Sequence, residues 1–162
     1  MREPGATDVF TPAQRSAVMR RVRSKDTAPE RKVRRALTAM GVRYRLNRKT
    51  LPGSPDVAVG RLKLAIFVHG CFWHGHDCKR GARAPQQNAA FWSAKIGRNR
   101  DRDRRALEAL TALGWRTLVI WECGLKDEGA LAAVLAQALA EAQATCEAEA
   151  AGRARRAESI TP

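Results

Sequence analysis

No stretch of this 162-residue sequence approaches the roughly 18 consecutive apolar residues that span a bilayer. The opening "MREPGATDVFTPAQR" lacks the apolar core of a secretory signal. A membrane role is therefore not expected, and a reducing, bacterial-type cytoplasm is. Cysteine is sparse, with four in the chain, and in that compartment clustered Cys and His point to metal more often than to disulfides. Acidic residues are few: 16 Asp and Glu stand against 30 Lys and Arg, a formal net charge of +14. No internal repeat is present. What remains, 44% apolar and 28% charged, is the composition of one globular domain with a sizeable core.

The charge is unevenly placed. Residues 1–126 carry a net +17 and residues 127–162 a net −3. A GC-rich coding bias would also enrich arginine. A field of this size nonetheless attracts polyanions, and counterion release makes nucleic acid the natural partner.

Coarse periodicity divides the chain into a flexible start (1–10), one domain (11–144) and a tail expected to be disordered (145–162). "TPAQ" (11–14) predicts a helix to about Arg23, whose Arg20, Arg21 and Arg23 could meet phosphates. "TAPE" (27–30) repeats the capping signature, and Val33, Ala36, Leu37 and Met40 give helical spacing up to Gly41. "VRYRL" (42–46) alternates as an edge strand does, and "LPGSPD" (51–56) is a turn. "DVAVG" and "LKLAIFV" (62–68) are two strands joined tightly around Gly60 and Arg61. A charged helix is expected over 89–113, a strand over 115–123, and an Ala/Leu-rich helix, capped by Asp127, over 128–144. This order suggests an α/β fold: a central mixed sheet flanked by helices.

The strand ending at Val68 runs straight into "HGCFWHGHDC" (69–78). Cys71, His76 and Cys78 need one more soft ligand, and Cys123, at the end of "LVIWEC", can supply it if the two strands are neighbours. The result would be a closed Cys3His structural zinc site with no open position for chemistry. On spacing alone His74 could replace His76. Cys146, in the Ala/Glu-rich tail, is expected to be a bystander.

Four motifs in order, "LPGSPD", "IFVHGCFWHGHDC", "FWSAKIGRNRDRDRR" and "GWRTLVIWEC", resemble the very-short-patch-repair endonucleases. "RSAVMRRVRSKDTAPE" extends the likeness, so that it covers roughly residues 12 to 125. The resemblance implies a restriction-endonuclease-like fold with an added structural zinc. It further implies a Mg²⁺-dependent enzyme that nicks duplex DNA 5′ of the thymine in a T:G mismatch left by deamination of 5-methylcytosine. Such an enzyme would be a nucleoid-associated monomer, with mismatch-repair proteins as further partners. The alternative is a zinc-braced DNA-binding or nuclease protein of the same fold without mismatch specificity.

Matched residue by residue, the resemblance makes Asp56 the metal-binding aspartate and Val68 a second magnesium ligand through its backbone carbonyl. His69 and Glu30 hold metal-bound waters, and His74 is the catalytic histidine. Cys71, His76, Cys78 and Cys123 are the zinc ligands. Phe72, Trp73 and Trp92 form an aromatic wedge in the DNA stack, and Met19 is inserted from the opposite groove. Physical chemistry supplies plainer roles for some of these. An aspartate after Pro55 can simply belong to a turn, and Glu30 caps its own helix whether or not a metal is near. The acid-x-Lys pair common in related nucleases is absent around Lys63, and a histidine-based site is the consistent replacement. Asp103 could orient His74 or simply pair with neighbouring arginines. Lys95 and Asn99 are candidate base-edge donors, and Arg98, Arg102 and Arg104 candidate backbone contacts. Trp115, Trp121 and Phe91 are expected in the core.

Overall fold

The backbone of the first described helix is set by its cap. In the computed structural model, which describes residues 25–83 and 88–158, α1 spans Ala28–Ala39 with Pro29 in its first turn. Thr27 Oγ1 accepts from the Glu30 N–H and donates to Glu30 Oε1 (2.8 Å), while Glu30 Oε2 accepts from the Asp26 N–H (3.0 Å). Thr27 therefore caps the helix as predicted, while the reaching carboxylate of Glu30 takes the Asp26 N–H and the Thr27 hydroxyl in place of the Thr27 N–H of a full capping box. Val33 and Leu37 point into the core, and the helix stops before Gly41, whose φ of +71° suits glycine. The helix expected over 11–23, with Met19 and its arginines, lies outside the described residues.

The sheet has four strands in the order β1-β2-β3-β4: Arg45–Leu46, Val57–Val59, Leu64–His69 and Arg116–Trp121. The first two pairings are antiparallel and β3–β4 is parallel, so the sheet is mixed, as expected. β1 is shorter than the predicted 42–46. Residues 42–44 are taken up by the end of α1: the Val42 N–H bonds Leu37 O (3.0 Å), and Tyr44 Oη bonds Thr38 Oγ1 and Arg34 O. The tight connection between β2 and β3 is a 3-10 turn over Gly60–Leu62, with Lys63 left-handed at its end.

Period-two alternation sends side chains to two cores. Val57, Val59, Leu64, Ile66 and Ile120 face α1 and α3 (Glu128–Glu158). Ala58, Ala65 and Phe67 face α2 (Ala89–Ala112) through Leu110. Helices on both faces explain why β3 is a nearly continuous apolar run.

α3 begins where predicted, with Asp127 Oδ1 accepting from the Ala130 N–H (2.9 Å). It then runs to Glu158, past the expected end at Ala144, so residues 145–158 are helical rather than a disordered tail. Alanine carries the helical propensity, and side chains anchor it: Arg116–Glu141 at 2.6 Å and Lys63–Glu149 at 3.5 Å. Cys146 stays apart from the thiol cluster, as expected, with Sγ 3.8 Å from Arg61 O. Among the described residues no helix is long and apolar enough to cross a membrane.

Candidate active site and metal centre

Parallel pairing of β3 and β4 sets His69 opposite Trp121, so both chains leave the sheet at one edge. From β3 the chain enters a loop closed by its own backbone. The His74 N–H bonds Gly70 O (3.2 Å), the His76 N–H bonds Cys71 O (3.0 Å) and the Ala82 N–H bonds Cys78 O (2.8 Å). Gly75 is required there: its φ is +62°, and a Cβ would stand 2.8 Å from Ile96 Cγ2 on α2. From β4 the chain enters a 3-10 turn over Glu122–Lys126. Cys123 therefore lies on this turn, just past the strand that was expected to carry it. Arg80 bonds Glu122 Oε1 (2.6 Å) and links loop to turn.

Loop and turn bring Cys71, His76, Cys78 and Cys123 together, with their ligand atoms within 4.8 Å of one another. His76 Nδ1 lies 3.5 Å from Cys123 Sγ, and all three cysteines are free thiols. Four inward-facing soft donors of this kind could hold a metal ion. His76, not His74, is the imidazole in this set. The thiols are unlike one another. Burial pushes Cys71 up to about 11. The Gly81 N–H, then His76, bring Cys78 down to about 6.

His74 belongs to a second group, His69, His74 and Asp103, with ligand atoms likewise within 4.8 Å. The two imidazoles stack at 3.9 Å and 8°. His74 Nδ1 is hydrogen-bonded to Asp103 Oδ2, so Asp103 reaches across from α2 and orients the ring. His69 is 7% exposed, and burial, then its neighbour His74, hold it down to about 4.

Asp56, Glu30 and Val68 line one cleft of about 930 Å³ with these groups. Asp56 Oδ2 accepts the Val68 N–H (2.7 Å), which fixes the carboxylate beside the Val68 peptide. Burial pushes the Asp56 carboxyl up to about 6; the Val68 bond opposes the rise and the Glu30 charge adds to it. Glu30, 6% exposed, reaches the cleft while both its oxygens serve the cap of α1. Lys25, Lys49, Lys95 and Arg102 line the same cleft, a cationic setting for an anionic ligand.

Trp73 lines the cleft and forms, with Phe72 and Trp92, one half-buried cluster with centroids 5.1–6.0 Å apart. Lys95 Nζ lies 5.4 Å from Trp73 and 5.5 Å from Trp92. Phe91 is not in the core: it is 55% exposed and touches Trp92 edge-on, extending the aromatic surface. Asn99, a candidate base-edge donor, instead gives its amide to Trp73 O (2.8 Å) and holds the loop onto α2. Arg104 pairs with Glu108 at 3.2 Å and lies 3.9 Å from Asp101, and Arg102 lies 3.4 Å from Asp103. Trp115 packs on the α2-side core, whereas Trp121 lies among the histidines. The site roles of Trp121, Lys25 and Lys49 went unseen in the sequence. An aromatic two residues before a ligand-type cysteine was the one available signal.

The family model described as DNA mismatch endonuclease Vsr matches residues 7–80. A type II nicking enzyme, V.XorIIP of Xanthomonas oryzae pv. oryzae, is 50% identical over 129 residues, covering 80% of this chain and 94% of that protein. The DNA mismatch endonuclease Vsr of Escherichia coli is 44% identical over 119 residues, covering 74% of this chain and 76% of that protein. A nicking enzyme of Neisseria meningitidis, V.NmeAIP, is 43% identical over 122 residues, covering 75% and 86%.

Proposed function

The chain belongs to the DNA mismatch endonuclease Vsr family, and on that premise we propose that it nicks one strand of duplex DNA 5′ of the thymine in a T:G mismatch. The observation that carries this reading is the convergence of Asp56, Glu30, His69, His74 and Asp103 on one cation-lined cleft, with an aromatic cluster joined to it through Trp73. Asp56 and the Val68 carbonyl are hard oxygen donors for Mg²⁺, with Glu30 and His69 placed to hold its waters. When bound, such an ion neutralises phosphate charge and makes hydroxide available near neutral pH. The protein's own share is proton handling. Asp103 accepts from His74 Nδ1, leaving Nε2 as the basic nitrogen that takes a proton from the attacking water. His69, kept neutral by burial, backs that ring without competing for the proton.

Zinc suits the other nest. Thiolates at about 2.3 Å from zinc in a tetrahedron stand about 3.8 Å apart, compatible with the present clustering. Phe72, Trp73 and Trp92 would act as a wedge, and a mismatch, already weakly stacked, lowers the cost of inserting it. We further propose a restriction-endonuclease-like fold, action as a monomer, and recruitment by mismatch-repair proteins. The relatives named as type II nicking enzymes favour a preferred sequence context around the mismatch.

The test is a Mg²⁺ nicking assay on duplexes that carry T:G, C:G or T:A at one position and are otherwise identical. Nicking confined to T:G is expected; equal nicking of all three would leave a nuclease without mismatch specificity. Asp56→Ala should lower the rate by about 10³-fold or more with duplex binding retained. Nicking that survived this change would remove the cleft from the chemistry.

A further inference from the structure

All three histidines of the chain lie against one indole. Trp121 closes β4 and pairs across the parallel ladder with His69, so strand geometry fixes its backbone. The His76 ring stacks on its face at 4.2 Å and 22°. His69 meets it edge-on at 5.3 Å and 75°, and His74 at 6.5 Å and 72°. Two residues further on, Cys123 places its thiol 3.5 Å from His76 Nδ1. A single rigid side chain thus touches an imidazole of the thiol cluster and both imidazoles of the cleft.

The His74–Asp103 hydrogen bond fixes one nitrogen, yet a ring held at one atom can still pivot about that bond. The face-to-face His69 stack removes part of that freedom, and His69 in turn is backed by Trp121. We propose that Trp121 is a positioning residue, whose indole holds the His69–His74 pair in register with the Cys/His nest. Order imposed on the loop at the nest thereby reaches the imidazoles. The inference rests on the proposed role of His69 and His74 in the cleft. Aromatic contact carries it: edge-to-face and stacked pairs gain from ring electrostatics that an aliphatic chain of similar bulk does not provide.

Trp121→Leu fills the space without a ring, and Trp121→Phe restores one. In zinc-loaded full-length protein, the Leu variant should lose about 10–100-fold in kcat on the T:G duplex, as supporting residues do, with KM within about twofold. The Phe variant should recover most of that loss. Because the chain has three histidines, selectively ¹³C-labelled histidine gives three ring signals. All three should shift in the Leu variant, and the ring-to-ring contact between His69 and His74 should weaken. A Leu variant that keeps kcat within twofold, or keeps that contact, overturns the inference. So does a Leu variant that no longer retains zinc, because Trp121 would then be only a wall of the nest. If the unaltered protein nicks no mismatched duplex, the functional reading fails while the spectra and metal content still decide where Trp121 acts.

Discussion

Two polar nests meet at residues 69–78, where β3 ends, one completed by Cys123 and the other by Asp56, and they are opposite in kind. Cys71, His76, Cys78 and Cys123 turn inward on one another, and the backbone of their loop is hydrogen-bonded to itself. Asp56, His69 and His74 turn outward to a cleft, and burial holds two of them away from their ordinary protonation behaviour, with Asp56 raised to about 6 and His69 lowered to about 4. One arrangement satisfies its donors and gives shape. The other buries ionisable groups beside a cleft, and the desolvation of ionised Asp56 costs stability. Stability and activity should therefore respond in opposite senses to changes in the two places.

The largest effect belongs to the inward nest. Cys71→Ser removes a fully buried donor from a site whose metal would contribute on the order of 10 kcal/mol to ordering. The expected outcome is a metal content well below one ion per chain and a melting temperature lower by about 20 °C or more. Retained metal and unchanged melting would abolish the distinction between the nests.

Asp56→Asn should act in the other direction. The folded carboxyl keeps its proton up to about pH 6, whereas the unfolded one releases it near 3.8, so ionised Asp56 opposes folding above pH 6. With chelator present, the Asn variant is expected to be more stable by about 1–2 kcal/mol at pH 7.5 in urea titrations. The gain should shrink as the pH falls from about 6 and vanish near 3.8, where the unfolded aspartate is protonated too. A destabilised Asn variant at pH 7.5 would mean that the carboxylate is satisfied without a cation.

The smallest effect concerns Glu30, which belongs to both worlds. Thr27→Ala removes the cap hydroxyl and should cost about 1 kcal/mol, with nicking within a few-fold of normal. A much larger loss of nicking at the same stability would show that Thr27 aims Glu30 into the cleft, sharpening the line between scaffold and chemistry.

Much of this was legible in the chain itself, for local reasons. The Thr27 cap on the Glu30 N–H, the Asp127 cap and the glycine stop at Gly41 are short-range chemistry, readable from adjacent letters. The Cys/His cluster was legible because cysteine and histidine are scarce and Cys123, next to a strand end, was there to complete it. Other features depended on partners distant in sequence. β1 lost residues to a competing helix end, and α3 gained length through Lys63 and Arg116 at the far end of the sheet. Asn99 had donor chemistry for a base but spends it on Trp73 O. Trp121 read as core because an aromatic in an apolar strand looks the same whether it faces leucines or imidazoles.

His69 and Trp121 share one rung of the parallel ladder. Sliding β4 by a single position would turn the indole toward the α1 side and move the following thiol about 3.3 Å along the strand axis. The short link through Leu113, Gly114 and Trp115 sets that rung. One residue inserted or deleted there would leave a hydrophobic interior that still collapses, around a protein that no longer gathers its sulfur and its rings in one place.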